Sequence, residues 1–181
     1  DDKGWSLAGA EEEALLAKIK SIGVPLGEYV EGKIYRGVLT GLNEAFVIDE
    51  DTRKRLIKED LKSKEIIKPF LIGRDIKRYQ TPTTDKYLIF TRRGIDIKKY
   101  PAIEKYLSRF KERLLPKPKD WKGKEWEGRK PGSYKWYEIQ DTINYCEEFE
   151  RPKLIWGNLA VHPQFTFDAD NRYINAPANI I

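Results

Sequence analysis

Apolar and polar positions alternate along this chain in ways that predict a mixture of short helices and short strands. From Ala10 to Ile22 the residues Leu15, Leu16, Ile19 and Ile22 share one helical face, Glu11, Glu12 and Glu13 suit the positive N-terminal end, and Gly23 ends the run. Residues 37–49, GVLTGLNEAFVID, form a turn rich in Gly, Thr and Asn that passes at once into apolar positions. Strands are therefore expected at Lys33–Arg36 and Ala45–Asp49, on either side of the turn. Asp51 is expected to cap a short helix through Ile57, and a second short helix is expected over Ser63–Phe70, stopped near Pro69 and Gly73. Tyr87–Phe90 reads as a strand. Pro101 then opens a helix whose Ile103, Leu107, Phe110 and Leu114 repeat at core-facing spacing.

From Pro116 to Tyr134 the pattern disappears. PKPKDWKGKEWEGRKPGSY interleaves Pro, Gly, Lys and Trp with neither period, which predicts a long loop. Further strands are expected at Trp136–Ile139, Leu154–Gly157, Phe165–Phe167 and Tyr173–Asn175, the last two joined by a turn over Asp168–Asn171. The sum is an α+β fold with mixed, mainly antiparallel small sheets and segregated helices, without internal repeats. The organisation expected is a linker or bracing helix over 1–23 followed by one domain over 24–181.

Composition sharpens this picture in three places. Aromatic residues make up 12% of 181 residues, enough apolar area to support a folded core. A single cysteine, Cys146, rules out an intrachain disulfide and fits a cytoplasmic setting, and no apolar run has the length of a membrane span. The absence of Met, even at position 1, reads as a piece excised from a longer chain. Net charge is only +5, but its distribution is polarised. The stretches Arg53–Arg78 and Arg109–Lys135 hold most of the basic excess, while DDK, EEE and EEFE are acidic. The second basic stretch interleaves Trp121, Trp126, Tyr134 and Trp136 with its cations, the pairing that nucleic-acid surfaces use for phosphates and bases.

Catalytic chemistry finds little support. Glu31-Gly-Lys33 supplies half of a metal-dependent nuclease motif without the preceding acid, and His162 stands before Pro163 with no partner at metal-ligand spacing. No glycine-rich cofactor loop or aromatic base-holding motif of a methyltransferase is present. The chain reads as a binder, with no catalytic, cofactor or metal residue of its own. A non-specific single-stranded nucleic-acid or RNA binder remains an alternative at this point.

Several motifs occur in a recognisable order. They are Gly37-x-x-Thr40-Gly41-x-Asn43-x-x-Phe46-x-Ile48, Glu65-Ile66-Ile67-Lys68-Pro69, Gly73-Arg74-Asp75-Ile76-Lys77-Arg78-Tyr79, Tyr100-Pro101, Trp136-Tyr137-Glu138-Ile139 and Phe149-x-x-Pro152-Lys153-Leu154-Ile155. Together, over roughly residues 24 to 175, they resemble the TaqI-like C-terminal specificity domain, the target-recognition domain of adenine-specific DNA methyltransferases and type IIG restriction-modification enzymes. The resemblance implies sequence-specific recognition of double-stranded DNA and a methyltransferase domain upstream in the same chain. It also implies S-adenosylmethionine for that parent, with Mg if an endonuclease is fused, and a recognition domain cut short at its C-terminus. The DNA-contacting residues expected are Thr40, Asn43, Arg74, Lys77, Arg78, Lys122, Lys124, Trp126, Arg129, Lys130 and Tyr134. Of these, the Gly73–Tyr79 segment is expected to position the duplex and the Pro116–Tyr134 loop to read bases. The Thr40–Asn43 turn is expected to serve mainly as scaffold.

Overall fold

Strand pairing organises the larger part of the chain. A computed structural model describes residues 9–158 and 162–181, so the opening DDKGW lies outside the described residues. The chain divides into two compact units, Asp1–Ile34 and Tyr35–Ile181.

In the first unit, α1 spans Ala10–Ile22, the boundaries its pattern predicts. The Glu12 carboxylate accepts the Gly9 N–H at 3.1 Å, and the Gly23 N–H closes the last turn on the Ile19 carbonyl at 2.8 Å. A one-turn helix, α2 (Leu26–Tyr29), follows.

The second unit contains two four-stranded sheets. Its elements in chain order are β1 (Tyr35–Arg36), α3 (Asn43–Phe46), β2 (Val47–Asp49), α4 (Glu50–Glu59), α5 (Ser63–Ile66), β3 (Ile67–Leu71), β4 (Lys86–Ile89), α6 (Pro101–Ser108), α7 (Lys111–Leu114), β5 (Lys153–Trp156), β6 (Phe165–Asp168), β7 (Tyr173–Ile174) and β8 (Asn179–Ile180). One sheet runs β2-β4-β3-β7 and the other β1-β8-β5-β6. All pairs are antiparallel except β3 with β7. The architecture is α+β with mainly antiparallel small sheets, as the pattern predicts.

Several expectations are revised. Helix over Ser63–Phe70 stops at Ile66, because β4 offers a partner and Pro69 would break a helix: Ile67, Lys68 and Pro69 pair with Ile89, Leu88 and Tyr87. The Ala45–Asp49 strand begins two residues late, since Ala45 and Phe46 complete a single helical turn on the Leu42 carbonyl. The helix opened by Pro101 breaks between Ser108 and Lys111, yet Ile103, Leu107 and Leu114 all remain buried. Trp136–Ile139 is not a strand. There the buried Glu138 accepts the Lys135 and Gly94 N–H groups at 2.8 and 2.9 Å, and the carboxylate replaces a strand neighbour. Asp49, rather than Asp51, caps α4 by accepting the Thr52 N–H at 2.8 Å. Nor do Phe165–Phe167 and Tyr173–Asn175 form a hairpin: β6 joins β5, while β7 crosses to β3.

One apolar core underlies the second unit, drawing on Phe46, Phe70, Leu88, Ile103, Leu107, Phe149, Ile155 and Ile174. Side chains of this size each contribute about 1.5–3 kcal/mol by leaving water. Tyr173 lies against Phe149 with ring centroids 4.8 Å apart and against Phe90 at 4.9 Å. Burial and the neighbouring Glu150 carboxylate push its phenol far above the usual range.

The second sheet has inverted polarity. In β5 and β6 the register pairs Lys153 with Asp168, Leu154 with Phe167, Ile155 with Thr166 and Trp156 with Phe165. Lys153, Ile155, Thr166 and Asp168 point inward, while Leu154, Phe165 and Phe167 are exposed. The inward ion pair is what permits this. Lys153 Nζ lies 2.6 Å from Asp168 Oδ2, with both side chains at most 2% exposed, and also donates to the Phe149 carbonyl at 2.7 Å. Arg172 completes the cluster at 2.6 Å from Asp168 Oδ1. Burial alone would raise the Asp168 carboxyl, but hydrogen bonds from Lys153 and Arg172 outweigh it and hold the group below its ordinary value.

Candidate nucleic-acid interface

The Gly73–Tyr79 segment leaves β3 and is pinned at both ends. Asp75 accepts the Ile72 N–H through its side chain at 3.1 Å and donates its own N–H to the Ile72 carbonyl at 2.8 Å. Ile76 is anchored in the core. At the other end the Tyr79 N–H donates to the Phe165 carbonyl at 3.0 Å, and the Thr166 hydroxyl donates to the Gln80 carbonyl. Between these fixed points Arg74, Lys77 and Arg78 face solvent. No carboxylate pairs with them among the described residues. Tyr79 has φ +56°, a left-handed conformation that non-glycine residues adopt at a cost of about 1 kcal/mol or more. The Arg78 guanidinium lies 4.9 Å from the centre of its ring. The result is a fixed turn with three cations on its outer side, bordering a cavity of about 440 Å³ lined by Arg74, Asp75, Lys77, Gln80, Thr81 and Thr83.

The Pro116–Tyr134 loop is irregular along its length but closed at its base. Pro116 and Arg129 bridge in parallel, with the Lys117 N–H donating to the Arg129 carbonyl at 3.0 Å and the Arg129 N–H to the Leu115 carbonyl at 2.9 Å. Trp126 donates its indole N–H to the Leu115 carbonyl at 3.3 Å, and its ring meets Trp121 edge-on at 5.0 Å. Lys122 and Lys124 sit exposed between these two tryptophans in sequence, and Lys130 is exposed just after the bridge.

Arg129 is placed where its sequence context does not suggest. It is only 4% exposed. Its guanidinium donates to the carbonyls of Leu114, Thr40, Glu138, Lys135 and Trp136 at 2.7–3.3 Å. The Tyr134 ring stacks 4.3 Å from its centre and Phe46 lies 5.5 Å away. Burial lowers its pKa to about 10, still high enough to keep the charge at neutral pH. All of its donors are directed inward, so Arg129 is a brace rather than a DNA contact. Tyr134 is likewise buried, with its hydroxyl on the Lys130 carbonyl.

The Thr40–Asn43 turn belongs to the same junction. Thr40 is buried, donates its hydroxyl to Asn43 Oδ1 at 2.7 Å and accepts the Leu42 N–H at 3.2 Å. Its carbonyl takes the Gln140 N–H as well as Arg129. Gly41 has φ +83°, and a Cβ there would stand 2.7 Å from Arg129 Cδ. Gly37 leaves room for the backbone of Asn175, 2.7 Å from where its Cβ would lie. The two glycines are thus needed for close packing, and Thr40 has no free surface to offer a phosphate. Asn43 is exposed but its side-chain oxygen is already engaged.

The structure therefore separates the expected residues into two sets. Arg74, Lys77, Arg78, Lys122, Lys124 and Lys130 are exposed cations, and Trp126 is half-buried at the loop base. Thr40, Arg129 and Tyr134 are interior. Sequence reasoning missed the aromatic surface formed by Phe165 and Phe167 beside Tyr79, although the strict alternation in KLIW and FTFD carries it once Lys153 and Asp168 are paired.

Comparisons with known proteins bear on what this surface is. The type II methyltransferase M.MjaIV of Methanocaldococcus jannaschii is 32% identical over 97 residues, covering 49% of this chain and 32% of that protein, so the match spans about a third of the relative's length. A chain in the structure of the type IIL restriction-modification enzyme MmeI in complex with DNA aligns with 82% of this chain and 19% of its own length, at 14% identity and a TM-score of 0.49. The family model of the TaqI-like C-terminal specificity domain matches residues 68–181, which include the pinned turn, the long loop and all of β4 to β8, and the chain belongs to that family.

Proposed function

We propose that this chain recognises a specific sequence in double-stranded DNA, as the specificity part of a larger adenine-specific DNA methyltransferase or type IIG restriction-modification enzyme. The observation that carries the reading is the pinned turn, which holds Arg74, Lys77 and Arg78, with no carboxylate partner among the described residues, outward on a fixed backbone. Fixed cations suit phosphate, whose contacts set position and register without reading sequence. The loop supplies the complementary element. Its base is held by Arg129, while Lys122, Lys124 and Lys130 stay free to reach base edges.

Methyl transfer belongs to the remainder of the parent enzyme, together with S-adenosylmethionine. The residues here do not fit that cofactor. Where a strand runs into a helix of ten residues, at β2 and α4, Asp49 fills the helix end and no glycine opens it. The upstream methyltransferase domain is the partner this reading requires, and the whole of 24–181 would act as the recognition domain. Competition between a cognate duplex and a random single strand of equal length tests it. Preference for the duplex supports the proposal, and preference for the single strand makes the chain a non-specific nucleic-acid binder.

A further inference from the structure

The outer face of β5 and β6 is not used by the duplex reading. Phe167 is 58% exposed and Leu154, its cross-strand neighbour, 44%. Trp156 and Phe165 form the next pair, with ring centres 5.6 Å apart. Beside them stands Tyr79, 80% exposed and held in its left-handed conformation by the bond from its N–H to Phe165. Tyr79, Leu154, Phe165 and Phe167, with Gln80 and Thr81, line a cavity of about 230 Å³. Gln80 and Thr81 also line the cationic cavity of Arg74 and Lys77. An aromatic cavity and a cationic cavity therefore adjoin across two residues. Among the described residues Asp75 is the only acid lining either, and one of its carboxylate oxygens already accepts the Ile72 N–H.

We propose that this joined pair of cavities holds one unpaired nucleotide, its base against Tyr79, Phe165 and Phe167 and its phosphate beside Arg74 and Lys77. The proposal rests on the DNA-binding reading above and adds a site to it. In a paired duplex both faces of every base are covered by neighbours, so exposed rings meet a free face only where a base is bulged, extruded or without its partner. Ring stacking of this kind is tolerant of base identity, and adjacent cations give the site the charge complementarity that a plain apolar docking face lacks.

The test measures binding of the whole chain, by fluorescence anisotropy, to a duplex with one extrahelical adenine and to the same duplex fully paired. The bulged duplex is expected to bind roughly tenfold more tightly, the size of one base–ring stacking interaction. Tyr79→Ala and Phe167→Ala should both remove that preference, Phe167→Ala while leaving paired-duplex affinity within about twofold, and Tyr79→Phe should restore it. Thermal midpoints of the variants confirm folding, since both rings lie on the surface. Equal affinity for the two duplexes overturns the nucleotide site, as does an equal loss on both in the ring variants. Self-association of the chain that disappears in Phe167→Leu while bulge binding is unchanged would assign the face to protein docking. Failure to bind either duplex is a separate result and removes the DNA reading on which the site rests.

Discussion

The two basic stretches of this chain have similar composition and opposite organisation. At the end of the first, Arg74, Lys77 and Arg78 project from a short turn whose backbone is bonded at both ends and whose Ile76 is sunk in the core. In the second, a guanidinium is drawn inside to close the loop: Arg129 ties five carbonyls, and through Thr40 it links the loop to the turn at Gly41. In one case the cations are the surface and the apolar residue is the anchor. In the Pro116–Tyr134 loop of the other an arginine is the anchor, and lysines are what remain outside. Counting charges along a sequence does not distinguish these arrangements, because an arginine has enough donors in a planar fork to satisfy several buried carbonyls at once.

Substitutions in the two regions should therefore fail in different ways. The largest effect is expected at Arg129. Arg129→Ala strands several carbonyls and opens a void beside Phe46, which should cost about 3 kcal/mol or more and lower the thermal midpoint by about 10 °C, measurable by circular dichroism. Arg129→Lys retains the charge but not the fork and should recover little of this. A drop of less than about 2 °C would mean that Arg129 is not the brace.

Next in size is the turn. Replacing Arg74, Lys77 and Arg78 together with Ala should weaken duplex binding by an order of magnitude or more at low salt, equally for all sequences, while stability stays within about 0.5 kcal/mol of the parent. A selective loss on one target sequence would instead make this turn the reader.

Smaller but more selective changes are expected in the loop. Lys124→Ala or Lys130→Ala should shift preference among related targets by roughly 1–3 kcal/mol at the position contacted, if either meets a guanine edge. Competition against a library of target variants shows whether the loss is selective. A uniform loss would reduce the loop to a second phosphate-binding segment.

The smallest effect sharpens the contrast between buried and exposed charge. The Asp168 carboxyl is held below its ordinary value in the folded chain by Lys153 and Arg172. Its stabilising contribution is complete above the unfolded carboxylate range near pH 4 and is lost as pH falls toward the lower folded value. Glu150, lowered chiefly by its hydrogen bond from Lys68, contributes in the same direction. Denaturant titrations should show constant stability from about pH 7 to 5 and a decline below about pH 4, and stability that rose on acidification would contradict the sign.

Much of the fold is legible in the local chemistry of the sequence. The three glutamates and Gly23 bracket α1 because helix ends have strong, local requirements, and Pro101 marks the start of α6 for the same reason. Local chemistry misleads where a distant partner decides. Ile66 and Ile67 suit either a helix or a strand until β4 arrives beside them. The strands Lys153–Trp156 and Phe165–Asp168 look as though Leu, Trp and Phe should be inward, until Lys153 and Asp168 neutralise each other in the interior. The exposed aromatic face cannot be seen without that pairing. At the candidate site, Arg74, Lys77 and Arg78 are visible in the sequence as a cluster after a glycine, whereas the inward course of Arg129 depends on carbonyls contributed by residues as far away as Thr40.

The most direct measurement is the salt dependence of duplex binding for the parent chain and for the triple variant Arg74→Ala, Lys77→Ala, Arg78→Ala. Affinity plotted against salt on logarithmic axes should be linear for both, with the variant's slope shallower by about 0.9 for each phosphate contact removed, or roughly 2 to 3 for all three. Two parallel lines, with the variant bound as tightly as the parent, would show that the pinned turn does not touch DNA.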